Sequence, residues 1–324
     1  MKGEPLRLRT LRLLAAHVSP ALGVGSSMLV LLSVLSGLLP VYGCTASHSV
    51  RHDSLSATPA RVSFDLYDLQ SIDGLGAGQG VEVRDGFVYL YGDGETGVIR
   101  EFEAVGLDSS RPRLQPTNRV ISLTHNGRDA LAHPTGLTHH PAFGTIMGDT
   151  VGGIGRIHFL DWGRALSDGN LDHALLHSLH DDLAVNGTRP EFVEYLGKPY
   201  VATSDYGSRG NAVRLYRPES LRDAEKTSDD GVLAYMWKCG PWVQNLHWSS
   251  HTGLLFLVQN QIEGKRWQLT TLNLRLRNPA VRQVIRFDGH DDELEGFHML
   301  GRGHAIFYTS SRQFNTCLAD VVRE

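Results

Sequence analysis

A repeat constrains this chain more than any other feature. Gly80, Gly136 and Phe192 succeed one another at intervals of 56 residues, and thirteen residues after each comes an aspartate, Asp93, Asp149 and Asp205. Two looser copies are centred on Asn245 in Val-Gln-Asn-Leu-His and on Gly296 in Leu-Glu-Gly-Phe-His, 53 and 51 residues further along. A period of 51 to 56 residues carried through five copies predicts five equivalent structural units.

The second copy shows what a unit is made of. Residues 119–123 form a short β-branched run, and residues 135–139, 144–148 and 156–161 come after it as three further apolar or alternating stretches. Gly, Asp and Asn turns separate them and no 3.6-residue period is sustained, so they read as strands. The same order recurs elsewhere, for example at 174–179, 192–195, 200–203 and 212–216 in the third copy. Four antiparallel strands repeated radially make a β-propeller blade. The expected fold is therefore all-β, a single five-bladed β-propeller over residues 61–324.

The run His133-Pro134-Thr135-Gly136-Leu137 carries a resemblance as well. An outer strand, a Pro-x-Gly-apolar inner strand and two further strands resemble the propeller repeats of lactonase-like, surface-layer-like and NHL-type proteins. The resemblance is one of architecture and spans residues 61–324. It implies how the ring closes: residues 62–69 enter as an outer strand and 317–322 leave as a third, so the N-terminal strand would complete the last blade. Closure hides an otherwise long unpaired sheet edge.

Ahead of the repeats, Lys2, Arg7, Arg9 and Arg12 precede a span, residues 21–42, with no charged side chain. A basic flank, an apolar run and small residues form the layout of a secretory signal. Val41-Tyr42-Gly43-Cys44 resembles the lipobox of bacterial lipoproteins, which implies lipidation of Cys44. The same span is long enough to cross a bilayer as an uncleaved anchor, and a plain cleaved signal is the third reading. All three make residues 1–44 a signal or anchor and place the remainder of the chain outside the cytoplasm, in the periplasm or at the cell surface. Residues 45–60, rich in Ser, Thr, Ala and His, read as a flexible tether to the membrane. The remaining cysteines, Cys239 and Cys317, fall in different repeats at different strand positions and are expected to stay as buried thiols.

A net charge of −4 with no block of like charge leaves no electrostatic footprint for nucleic acid. No Gly-x-Ser-x-Gly elbow, phosphate-cradling Gly-x-x-x-x-Gly-Lys or dinucleotide fingerprint is present. A monomeric propeller presenting a polar face is the expectation.

In an antiparallel blade the start of the inner strand and the end of the next lie at one end of the sheet. That collects Gln79, Thr135, Glu191, Gln244 and Glu295 beside Asp93, Asp149, Asp205, Asn260 and Ser310 around the channel mouth. Connecting loops on the same face add His125, Asp129 and His133, then His180, Asp181, Asp182 and Arg189, then His290 to Glu293. Such a mouth suits a hard cation such as Ca²⁺, sugar hydroxyls or a cationic ligand. The competing reading of the three aspartates is structural, as Asx-turn acceptors before glycine-rich turns.

Two residues beyond the anchors come Glu82, Thr138, Glu194, His247 and His298. Glu82, Glu194, His247 and His298 would make a Zn²⁺-type ligand set if they converge. They would otherwise pair across blades, Glu194 with His247 and His298 with Glu82. Two functions are open at this point. One is a binding module that takes a small molecule, glycan or protein partner at the acidic mouth. The other is a metal-dependent hydrolase or lyase acting on a lactone, glycoside or phosphoester.

Overall fold

A computed structural model describes residues 61–108, 111–263, 266–290, 292–311 and 313–323. The segments read from the sequence as a signal or anchor, 1–44 with Cys44 within it, and as a tether, 45–60, lie outside the described residues.

Five four-stranded antiparallel sheets account for nearly all of the strands. Blade 1 consists of β2 (Ala77–Arg84), β3 (Phe87–Asp93), β4 (Gly97–Val105) and β5 (Arg113–Ser122). After a small hairpin, β6 (Thr124–His125) and β7 (Arg128–Asp129), blade 2 holds β8 (Pro134–His140), β9 (Gly144–Val151), β10 (Ile154–Leu160) and β11 (Leu175–Asp181). Blade 3 holds β12 (Glu191–Tyr195), β13 (Lys198–Ser204), β14 (Ala212–Tyr216) and β15 (Leu233–Lys238). Blade 4 holds β16 (Val243–Ser249), β17 (Leu254–Ile262), β18 (Arg266–Asn273) and β19 (Ala280–Phe287). Blade 5 takes β20 (Leu294–Gly301), β21 (His304–Thr309) and β22 (Thr316–Arg323) from one end of the sequence and β1 (Val62–Gln70) from the other. Contacts between inner strands run β2 to β8, β8 to β12, β12 to β16, β16 to β20 and β20 back to β2, which closes the ring.

The closure expected from the chain's offset is present. β1 pairs antiparallel with β22 from Val62 opposite Arg323 to Gln70 opposite Thr316, with one bulge between Tyr67 and Leu69. Phe64 anchors the added strand, its ring meeting Phe297 and Phe307 edge-on at 5.2 and 5.4 Å.

Blades have two buried faces, which is why their central strands read as nearly unbroken apolar runs: in β17, Leu254 to Asn260 are all buried. Five apolar clusters result, one in each gap between neighbouring blades. Tyr91 and Leu137 belong to the gap between blades 1 and 2, Ile157 and Phe192 to the next, and Val193 and Leu257 to the third. Phe256 and Phe297 fill the fourth gap, and Leu90 and Ile306 the fifth.

Two short helices, α1 (Trp162–Asp168) and α2 (Pro218–Asp223), sit between the third and fourth strands of blades 2 and 3. An all-strand reading does not anticipate them, because two turns are too short to show a period. Their ends are nonetheless written locally. Asp161 accepts from Arg164 N at α1 and Gly169 ends it in the left-handed region, and Pro218 starts α2. Cys239 is half-buried and Cys317 buried, and neither is in a disulfide.

Candidate functional site

The repeat anchors meet at the axis. Built at Gly80, a Cβ would overlap the Tyr91 hydroxyl and the Asn245 amide, and at Gly296 it would come within 2.9 Å of the Gly80 backbone. Glycine is required there because the inner strands approach too closely for side chains. Tyr91, fully buried on β3, fills the remaining space. Its hydroxyl accepts from Gly136 N in blade 2 at 3.1 Å and from Asn245 Nδ2 in blade 4 at 2.8 Å. Asn245 also donates to the Glu295 carbonyl. The channel therefore has a waist, and the polar groups along it separate into a mouth and an inner tier.

At the mouth, blades 3, 4 and 5 supply a continuous network. Gln244 Nε2 donates to Glu295 Oε2 at 2.7 Å, and Gln261 Nε2 donates both to Glu293 Oε1 at 2.5 Å and to the Tyr206 hydroxyl at 2.7 Å. Burial holds the Glu295 carboxyl well above the usual range, and Glu293 beside it pushes the same way. Gln244 and Arg189 act against that rise without cancelling it. Arg189 is 3% exposed and lies with its guanidinium 5.2 Å from the centre of the Tyr206 ring. Its Nε has no hydrogen-bond partner among the described residues, and burial brings its pKa down to about 10 against the opposing pull of Glu295.

On the other side of the mouth, His133 Nδ1 lies 2.8 Å from Asp93 Oδ2, which also accepts from Gln79 at 3.2 Å. Asp149 is buried, accepts from His133 N at 3.0 Å through Oδ1, and has an Oδ2 without a partner among the described residues. Asp205 has a structural part. Its two oxygens receive Val185 N at 2.7 Å, Ala212 N at 2.8 Å and Arg214 Nη1 at 2.7 Å, which leaves little for a ligand. The neighbouring loop acids are similar: Asp181 accepts from Tyr216 and Thr227, and Asp182 from Ser228.

The inner tier is assembled differently from the sequence expectation. Glu194 is exposed on β12 next to the hairpin turn, opposite Pro199. The structure does not bring it to His247, so neither the four-residue set nor the Glu194–His247 pair forms. The reason is a register difference. β2, β8, β16 and β20 each enter with a bulge, and β12 does not. A fixed offset from the anchor therefore selects the wrong residue in blade 3. Glu191, read from the sequence as a mouth residue, points inward instead, with its Oε1 accepting from Trp248 N at 2.8 Å.

One polar side chain gathers from each blade: Glu82, Thr138, Glu191, His247 and His298. His298 Nε2 is 3.7 Å from Glu82 Oε2, the two imidazoles are centred 4.0 Å apart, and Met299 N approaches His247 Nε2 at 3.4 Å. Burial dominates every titration here. It holds Glu82 well above the usual carboxyl range, where Glu191 reinforces it, and pushes Glu191 up to about 8. It drives His247 well below the usual imidazole range and His298 down to about 4. Burial thus disfavours the charged form of all four groups. Among the described residues no group of three or more His, Cys, Asp or Glu is arranged to hold a metal ion.

The fold and axis together define a closed five-bladed β-propeller. No family model matches the sequence, and no curated protein matches it. Similar solved structures include the PQQ-bound aldose sugar dehydrogenase of Streptomyces coelicolor, at 12% identity over 82% of this chain and 100% of that one, with a TM-score of 0.44. An assigned glucose dehydrogenase from Thermus thermophilus matches at 12% identity over 80% of this chain and 100% of its own, TM-score 0.41. An assigned 6-phosphogluconolactonase from Bacteroides fragilis matches at 15% identity over 71% and 63%, TM-score 0.35. The likeness is one of fold, and the blade count rests on the strand pairing within this chain.

Proposed function

We propose that this chain is a monomeric, membrane-tethered, extracytoplasmic binding propeller whose ligand is a small polyhydroxylated molecule or glycan end held at the channel mouth. One observation carries the reading. Glu295, buried and with its carboxyl raised by that burial, is set among Glu293, Gln244 and Arg189, whose Nε has no partner among the described residues. Buried polar groups cost free energy that a propeller core has no need to give up, and their concentration together with shifted pKa values is a pattern of functional sites. The two carboxyl groups, the side-chain amides and the Tyr206–Trp242 ring pair at 5.1 Å offer the polar partners and apolar face that sugar hydroxyls and ring carbons require. The waist at Tyr91 supports docking at the mouth rather than passage through the channel.

The basic flank, the uncharged span and Cys44 support the tether. Nothing specific favours the hydrolase reading, since the proposed ligand set is not assembled. Calorimetric titration of the purified protein with a panel of mono- and disaccharides tests the binding. Saturable binding weakened at least tenfold by Glu295→Ala is expected, and no saturable binding to any of the panel overturns the glycan assignment.

A further inference from the structure

His125, Asp129 and His180, read from the sequence as mouth residues, line a separate cavity of about 490 Å³ on the flank of blade 2. Its floor is a sheet face. Arg156 pairs with His180 and His158 with Ser178 across β10 and β11, so all four side chains share one side. Its roof is the hairpin β6–β7, turned by Asn126 and Gly127, both with positive φ. The roof is pinned to the loop before β11 by Leu171 N donating to Thr124 O at 2.9 Å and by His125 Nδ1 donating to Leu171 O at 3.2 Å.

Two nitrogens in this floor have no hydrogen-bond partner among the described residues. His158 is 3% exposed, with Nδ1 held to Ser178 Oγ at 2.8 Å and Nε2 unpartnered. Arg156 Nε, two residues earlier on the same face, is buried and equally unpartnered. The guanidinium is a permanent donor. Burial, with Arg156 adding to it, pushes His158 down to about 4, so its imidazole is neutral. Three further titratable side chains line the cavity, His125, Asp129 and His180. Asp129 and Arg128 are exposed on the roof hairpin, where solvent screens them. Asp149, across from Arg156 in the register, has its own carboxyl raised by burial.

We propose that this cavity is a second binding site, taking the carboxylate or phosphate group of a small anionic molecule between Arg156 and His158. An oxyanion supplies at least two acceptor oxygens, as the Nε edge of a guanidinium and an adjacent imidazole N–H require. The cavity also lies within the size range of small-molecule sites.

The test is titration of the full chain, labelled with ¹⁵N at arginine and histidine, with acetate and separately with inorganic phosphate, following the side-chain resonances of Arg156 and His158. One-to-one saturable shifts at both side chains are expected with at least one probe, and the probe that binds names the source. Arg156→Gln and His158→Phe are each expected to weaken that binding at least tenfold. No saturable response to either probe, or an undiminished response in well-folded variants, overturns the proposal. Should a variant fold poorly, the wild-type spectra decide, since shifts that bypass Arg156 and His158 also overturn it.

Discussion

Asn245 Nδ2 donates to the Tyr91 hydroxyl at 2.8 Å, which ties blade 4 to blade 1 across the axis although the two are not neighbours around the ring. Removing that hydroxyl leaves Gly136 N buried without its partner, while Asn245 keeps the Glu295 carbonyl. Tyr91→Phe should therefore fold normally and lose about 1–3 kcal/mol, the cost of an orphaned buried donor. Urea unfolding should show a lower midpoint at unchanged slope. Gly80→Ala should cost more, since its new methyl group overlaps the same hydroxyl; equal midpoints for Gly80→Ala and wild type would refute the waist.

The inner tier predicts a stability plateau on the acid side of neutrality. Glu191 is raised from 4.5 to about 8 and Glu82 is raised as well, so the contribution of each is complete below the unfolded value and is lost as pH climbs, for Glu191 towards 8. His298 is lowered from 6.5 to about 4, with His247 lowered too, so theirs is complete above 6.5 and is lost as pH falls towards 4. Between about 4.5 and 6.5 the carboxyls and the imidazoles pull stability in opposite directions with pH, and the net slope from these four groups is small. Above that window Glu191 costs about 1.4 kcal/mol per pH unit until it titrates near 8. Glu191→Gln should flatten the decline above pH 6.5, measured by urea unfolding at a series of pH values; an unchanged slope would show that Glu191 does not titrate in this way.

Asp205 is expected to matter for folding and not for binding. Asp205→Ala strands Arg214, which is only 8% exposed in its side chain, together with Val185 N and Ala212 N. Breaking such a buried pair costs about 3–5 kcal/mol. A melting temperature close to wild type would contradict this role.

Closure by β1 can be tested from the same edge. Removing residues 61–70 uncovers β22 and takes away Phe64, so unfolding should lose its single cooperative transition and the protein should self-associate. Phe64→Ala alone should cost about 3–5 kcal/mol. A truncated protein that melts in one transition at the wild-type temperature would sink the closure.

How much of this is legible in the sequence depends on what each feature is made from. The five units, their strands and the β1–β22 closure are readable because spacing and alternation are local and repeated. Fixed offsets select Glu194 over Glu191 because a bulge leaves no mark in a sequence aligned against itself. Tyr91 gives no sequence signal, because its role exists only once Gly80, Gly136 and Asn245 converge; the small residues at the anchors are the one hint that something large must fill the axis. Asn126-Gly127 does announce a hairpin, and that turn is the signal that separates His125 and Asp129 from the mouth. The structural employment of Asp205 is visible as the Asx-turn alternative, whereas its partner Arg214 is not.

The pairing of Val62 with Arg323 also bears on how the molecule comes into being. Synthesis from the N-terminal side delivers β1 first and β22 last. The earliest strand must therefore wait, solvated and unmated, until almost every other segment has arrived. Such distant pairing slows acquisition of the native state and leaves a sticky edge displayed meanwhile, so whatever shields residues 62–70 until β22 arrives would guard the molecule while it is most prone to aggregate.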